Sequence, residues 1–296
     1  MSESSTPSTP AGPGGSSVPV GSARATADPT AVRPLAVVTG ASSGIGLELA
    51  RRFAEEGFDL VVAADEAELA VAADALAALG AAVRPVRVDL TTAEGVGALA
   101  GEVRATGRPV DALALNAGTG RGGAFVETPL EDDLAVIALD VVGTVRLAKA
   151  LVPAMVERGS GRVLVTASTA SLMPGPGYAT YAASKAFVHS FAQALRHELA
   201  GTGVTVTSLL PGPTDTRFFE RAGMEDTPVG RGPQDDPADV ADQAFEGLVA
   251  GKAEVTVRSL TARMQTAAAA VLPDRAKAAV HAAFTRHAGG GRDDDA

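Results

Sequence analysis

Apolar residues along this chain fall into short, nearly unbroken blocks separated by amphipathic stretches. Leu35 to Val38, Leu60 to Ala63, Ala112 to Leu115, Arg162 to Thr166 and Val204 to Leu210 form the blocks. Continuous apolar runs of strand length predict strands buried on both faces. Val83 to Val88 predicts another strand, with Pro85 marking a shortened or irregular start because proline cannot donate to a ladder. Glu254 to Val257 predicts the last strand. Helical patterning lies between the blocks. One helix is expected from about Ile45 to Glu56, stopped by Gly57. Thr91-Thr92-Ala93-Glu94 has capping-box spacing and opens a second. Thr128-Pro129-Leu130-Glu131 is another box, with proline at the first helical position, and predicts one long helix to about Glu157. Tyr178 to Leu199 reads as a helix. Asp236-Pro237 caps a last one that ends near Gly251. Strands alternating with helices predict a doubly wound α/β fold: one parallel sheet, helices on both faces, a single domain. Ligands of such sheets bind beyond the carboxyl ends of the strands.

The ends differ in character. Residues 1–33 are rich in Ser, Thr, Pro, Gly and Ala, too polar and small to bury a core. They are expected to be a disordered tail or an over-extended start of the reading frame, and they lack the apolar block of a secretory signal. Residues 34–258 are the expected domain. Residues 259–286, rich in Ala with Arg263, Arg275 and Lys277, are expected to add a helical extension that covers the pocket, joins an oligomer interface or touches a membrane surface. Residues 287–296 are expected to be a second loose tail.

Composition narrows the chemistry. Of 296 residues, 46% are apolar but only 4% aromatic, so the core is built from Ala, Val and Leu. A net charge of −10, from 35 acidic and 25 basic residues, argues against nucleic acid as a partner. The chain has no cysteine, which excludes disulfides and thiol catalysis and fits a reducing, cytoplasmic location. His189, His197, His281 and His287 form no metal-type pair on one helix face and are expected to be surface or partly packed residues. No apolar run is long enough for a membrane span.

Three groups of residues sit where the pattern places strand ends. Thr39-Gly40-Ala41-Ser42-Ser43-Gly44-Ile45-Gly46 joins the first strand to the first helix. Glycines there let the backbone approach a pyrophosphate, which the helix N-terminus attracts. The same residues also fit a Gly-x-Ser-x-Gly nucleophile elbow, although an elbow normally follows several earlier strands. Tyr181 and Lys185 are four apart and share one helix face. An ammonium beside a phenol favours the phenolate, so the pair suits proton transfer to or from an alcohol or carbonyl oxygen. Ser168, thirteen residues earlier, can hydrogen-bond the same oxygen. Tyr178 has no lysine four residues on, since position 182 is Ala, and is expected to pack or line the pocket.

Taken together these motifs resemble the short-chain dehydrogenase/reductase family over about Pro34 to Val257. The glycine segment is similar to its coenzyme motif, and Asn116-Ala117-Gly118 to its Asn-Ala-Gly motif. Ser168, Tyr181 and Lys185 match its catalytic set, and Pro211-Gly212 with Thr216 its Pro-Gly-x-x-x-Thr segment. The resemblance implies a Rossmann-type oxidoreductase acting on a small carbonyl or alcohol, assembled as a homodimer or homotetramer. It implies Tyr181 as general acid/base, Lys185 on the tyrosine and the nicotinamide ribose, and Ser168 on the substrate oxygen. Gly40, Ser42, Ser43, Gly44, Ile45 and Gly46 would line the pyrophosphate and adenosine side, with Asp89 and Leu90 along the adenine. Asn116, Ala117 and Gly118 would lie near its ribose, and Pro211, Gly212, Thr214 and Thr216 would flank the nicotinamide.

One position departs from the family. Its fourth catalytic residue, an Asn, falls on Asp140. A backbone carbonyl survives the change, but an ionised carboxylate near Lys185 would partly neutralise the pull on Tyr181. A non-catalytic dinucleotide-binding or regulatory protein on the same fold is the alternative. For the cofactor, Asp65 and Glu66 end the second strand, and the glycine loop carries only Ser42 and Ser43. An acid here accepts from a ribose 2′-hydroxyl and repels a 2′-phosphate, so NAD is expected, with NADP possible. Asp65 alternatively caps the helix that follows. No metal is expected. The segment Pro213 to Gly232, with Phe218, Phe219 and Met224, is expected to close over an apolar pocket.

Overall fold

The computed structural model describes residues 32–257 and 273–286. The expected tail over 1–31, the stretch 258–272 of the expected extension and the tail 287–296 lie outside the described residues.

Seven strands form one parallel sheet: β1 (Leu35–Thr39), β2 (Asp59–Ala64), β3 (Val83–Arg87), β4 (Ala112–Leu115), β5 (Gly161–Thr166), β6 (Val204–Leu210) and β7 (Glu254–Thr256), in the order β3-β2-β1-β4-β5-β6-β7. Every pairing is parallel. The order reverses between β1 and β4, which opens a crevice above their carboxyl ends. Pro85 is tolerated because β3 is an edge strand, where a missing donor leaves no inner ladder broken.

Helices cover both faces. On one face lie α1 (Gly44–Glu55), α2 (Leu69–Ala77) and α9 (Pro237–Val249), whose buried residues share a core with Val38, Val62 and Leu209 of the sheet. In α1 the buried residues Gly46, Leu49, Ala50, Phe53 and Ala54 recur with helical spacing and make one apolar stripe. Phe53 meets Phe58 and Phe245 edge-on, with ring centroids 5.1 and 5.2 Å away. On the other face α3 (Ala93–Ala105), α5 (Thr144–Arg158) and α6 (Ala179–Glu198) pack against Val37, Leu113 and Val165.

Local capping differs from the sequence pattern in two places. The cap of α3 is Thr92, not Thr91: its hydroxyl accepts from Gly95 N at 3.0 Å. At the next helix Pro129 itself is the cap residue, and α4 (Leu130–Val136) starts after it. The Thr128 hydroxyl instead donates to the Asp133 carboxylate at 3.1 Å. The expected single helix to Glu157 is interrupted. Between α4 and α5, Ile137–Gly143 widens into a π-helical turn, which carries Asp140 into the interior. Asp236 caps α9 as its spacing predicts, accepting from Ala238 N at 2.8 Å. The segment after β6 contains two short helices, α7 (Phe218–Ala222) and α8 (Pro228–Arg231). A last helix, α10 (Asp274–Thr285), lies within the expected extension. Among the described residues no helix is long and apolar enough to cross a membrane.

Candidate active site

Of the candidate catalytic and cofactor-binding residues, all but Asp140 line one cavity of about 360 Å³ over the carboxyl ends of the strands. The first wall is the turn from β1 into α1. Ser43 caps α1 in an extended conformation and makes no side-chain cap bond. The first amides of α1 therefore keep their capacity to bind an anion, at the positive end of the helix dipole. Gly46 is required here: a Cβ would stand 2.1 Å from the Gly40 carbonyl oxygen and 2.5 Å from Asn116 Nδ2. Asn116 is a brace. Its Nδ2 donates to Thr39 O at 3.1 Å and its Oδ1 accepts from Thr166 Oγ1 at 3.0 Å, tying β1, β4 and β5 together. Its amide is thereby committed to the scaffold, and the neighbouring Gly118 is the exposed member of the motif.

Ser168 follows β5, and Tyr181 and Lys185 stand one turn apart on α6, so two elements bring three side chains to one place. The Ser168 Oγ accepts from Ala170 N at 3.1 Å. Lys185 Nζ donates to Thr166 O at 3.4 Å and lies 5.7 Å from the Tyr181 ring centroid. The expectation that lysine lowers the tyrosine pKa is reversed. Burial holds the Tyr181 hydroxyl well above the ordinary phenol range, the Asp140 carboxylate pushes it further, and the hydrogen bond from Ser168 only partly opposes them.

Asp140 explains why the lysine is weak. It is 1% exposed and lies just behind the cavity wall. Its Oδ1 accepts from Thr119 N at 2.9 Å; its Oδ2 accepts from Ser184 Oγ at 2.9 Å and pairs with Lys185 Nζ at 3.3 Å. Every charge is matched, as a buried carboxylate requires. Gly118 makes room for the pair, since a Cβ there would meet Lys185 Nζ at 2.7 Å and Asp140 Oδ1 at 3.1 Å.

At the β2 end the two acids behave differently. Asp65 is exposed and is not a helix cap; its backbone oxygen accepts from Arg87 Nε at 2.9 Å. Glu66 accepts from Ser42 Oγ at 2.5 Å. It also pairs with Arg217, at 3.3 Å, and with Arg221, both reaching over from the segment after β6. The expectation of NAD weighed only the acids and the glycine loop at this edge; sequence distance hid two guanidiniums. Their spacing of four, on one face of a short helix, was the available signal. Asp89 folds onto its own loop, accepting from Thr91 N at 2.9 Å, while Leu90 is buried beside it.

The far end is apolar, as expected. Pro211, Gly212, Thr214 and Thr216 lead from β6 into α7, with Phe218 N donating to Thr216 Oγ1 at 3.2 Å. The Phe218 ring lies tilted against that of Tyr181, centroids 5.0 Å apart, and Phe219 and Met224 are buried in the same cluster. One histidine departs from the expectation of a surface or partly packed residue: His281 of α10 is 3% exposed and lines the cavity, because α10 docks on the Pro174–Tyr178 turn. Among the described residues no cluster of His, Asp and Glu could hold a metal.

Residues 34–226 match the family model of short chain dehydrogenases. The probable oxidoreductase EphD of Mycobacterium tuberculosis (strain H37Rv) is 38% identical over 192 residues, which are 64% of this chain but only 32% of that longer protein. Among solved structures, a short-chain dehydrogenase from Sphingobium yanoikuyae in complex with NADPH is 32% identical, with a TM-score of 0.72 and coverage of 80% of this chain and 93% of that one. A short chain dehydrogenase/reductase from Burkholderia phymatum in complex with NAD is 30% identical, also at 0.72, covering 79% and 92%. With its parallel seven-stranded sheet and the match over most of its described length, the chain belongs to the short-chain dehydrogenase family.

Proposed function

We propose that this chain is a nicotinamide-dependent oxidoreductase that interconverts a carbonyl and a secondary alcohol. The convergence of Ser168, Tyr181 and Lys185 on one cavity with the glycine turn of α1 carries the reading. The residues fit a dinucleotide: the glycine cradle would be filled by any Cβ at position 46, and the uncapped amides of α1 suit a pyrophosphate. When bound, the cofactor supplies or accepts a hydride at its nicotinamide. The protein does the rest. Ser168 orients the substrate oxygen, Tyr181 gives or takes its proton, and Lys185 holds the ribose side of the cleft beside them. With its pKa raised by burial and by Asp140, Tyr181 keeps its proton at neutral pH, which favours carbonyl reduction over alcohol oxidation. Either NAD or NADP is accommodated. Glu66 suits a ribose 2′-hydroxyl, and Arg217 and Arg221 stand ready for a 2′-phosphate once Glu66 turns aside.

Exposed Phe125, Val126, Leu130 and Leu134, clustered on and before α4, support assembly into a homodimer or homotetramer. The absence of cysteine supports a reducing, cytoplasmic setting. The domain is taken as 34–258. A non-catalytic role on the same fold is favoured only by the Asp140–Lys185 pair.

Tyr181→Phe tests the assignment. Loss of a positioned acid/base costs about 10²–10⁴-fold in turnover, with cofactor binding retained. Hydride transfer by the variant at the wild-type rate in stopped flow would overturn it.

A further inference from the structure

The substrate end of the cavity is walled by side chains of Phe218, Phe219, Met224 and Val229, and its polar feature away from Ser168 and Tyr181 is the pair Tyr178–His281. His281 comes from α10, which lies beyond the residues matched by the family model. Its Nδ1 lies 2.9 Å from Pro174 O. A carbonyl only accepts, so Nδ1 carries the proton. Burial lowers the pKa of the imidazole and keeps it neutral, which leaves Nε2 as an acceptor. The Tyr178 hydroxyl lies 3.3 Å from Nε2 and 3.4 Å from Nδ1; because the Nδ1 proton goes to Pro174 O, the hydroxyl donates to Nε2. The tyrosine has one proton, and it is used there. Toward the cavity Tyr178 therefore offers only oxygen lone pairs. Its ring centroid lies 5.8 Å from that of Tyr181, so the two tyrosines line the same end of the cavity.

We infer that the substrate is an apolar carbonyl compound that carries a hydroxyl group besides the reacting carbonyl, and that Tyr178 accepts a hydrogen bond from this hydroxyl. His281 is a positioning residue: it takes the Tyr178 proton and so turns an ambivalent phenol into an acceptor. This rests on the oxidoreductase reading and names the substrate class of the same site.

A matched pair of probes tests it. 6-Hydroxy-2-tetralone and 6-fluoro-2-tetralone have nearly the same shape, but fluorine cannot donate a hydrogen bond. The full-length wild type should prefer the hydroxy ketone by about tenfold in kcat/KM, the worth of one hydrogen bond, mostly through KM. Tyr178→Phe should bring the ratio to near unity. His281→Phe should narrow it, since Tyr178 can then donate as well as accept, whereas His281→Gln, which keeps one donor and one acceptor, should restore it. Thermal melts identify any variant that fails to fold, and the remaining variants decide. Binding is read separately by NMR titration of each ketone into wild type saturated with oxidised cofactor, a mixture that cannot turn over. Reduction of both ketones with equal kcat/KM overturns the inference and leaves the oxidoreductase reading standing. Hydroxyl-selective binding lost in Tyr178→Phe, with neither ketone reduced, upholds the inference and overturns that reading. Equal binding of both ketones overturns the inference whatever the turnover.

Discussion

Asp140 Oδ2 stands 3.3 Å from Lys185 Nζ, in a place that water hardly reaches, so the lysine that the family resemblance assigns to the tyrosine is already paired with a carboxylate. The pair is held from both sides, by Thr119 N and by the Ser184 hydroxyl. Its effect on the neighbouring phenol has a definite sign. A negative charge near Tyr181 disfavours the phenolate and raises its pKa.

Asp140→Asn removes that charge while keeping the shape and an acceptor for Thr119 N. The Tyr181 pKa should fall. Alcohol oxidation, which needs the phenolate as base, should then rise at lower pH than in wild type. Carbonyl reduction, which needs the phenol as acid, should lose rate on its alkaline side at lower pH. Steady-state profiles in both directions check this; superimposable profiles would show that only the backbone at position 140 matters.

Glu66→Gln should change cofactor choice. The carboxylate both repels a 2′-phosphate and holds Arg217 and Arg221. Without it, Arg221 loses its carboxylate while Arg217 keeps its pair with Glu68, so Arg221 is the guanidinium released to make a charge-assisted bond to that phosphate, and NADPH affinity should rise by about tenfold. NADH affinity should fall, because a carboxylate acceptor for the ribose is lost. Calorimetric titration of both cofactors into both proteins is the measurement.

Gly118→Ala places a methyl group 2.7 Å from Lys185 Nζ and 3.1 Å from Asp140 Oδ1, so the lysine end must shift from its place beside Tyr181. Displacement of a positioned group by a fraction of an ångström to an ångström costs about 10²-fold in turnover. The loss should appear in kcat more than in cofactor affinity, as read by single-turnover kinetics.

Phe53→Ala empties the centre of the α1–α9 face, where Phe53 is 1% exposed between Phe58 and Phe245. A destabilisation of about 3–5 kcal/mol is expected, seen as a lower urea midpoint with an unchanged slope. Phe53→Leu should cost much less, because it keeps most of the volume.

The sheet was legible because its strands are apolar on both faces, and the position of each motif at a strand end followed from that. Pro85 looked like a blemish and proved to mark the edge. What escaped the sequence depended on contacts between distant segments. The break in the helix around Asp140 has no proline or glycine at its start, so no residue type there signals the wider turn. Arg217 and Arg221 are about 150 residues from Glu66 in the chain, as the separation of 151 for Arg217 shows. His281 looked bland because its neighbours on α10 are alanines and charges, and its surroundings come from the turn at Pro174. Asp65 drew attention as the first acid after β2, yet Glu66 is the one turned toward Ser42.

The bonds from α7 to Glu66 and Ser43 set an order of events. Arg217 and Arg221 tie the segment over the substrate end to the edge where an adenosine would lie, so a dinucleotide entering along that edge would have to loosen these ties, and α7 would settle over it to complete the pocket for the second reactant. Binding should be sequential, nucleotide first and nucleotide last to leave. Each tie is solvent-exposed and worth only about 0–1 kcal/mol, so the door is light, and added salt should hasten nucleotide departure without touching the chemistry beneath it.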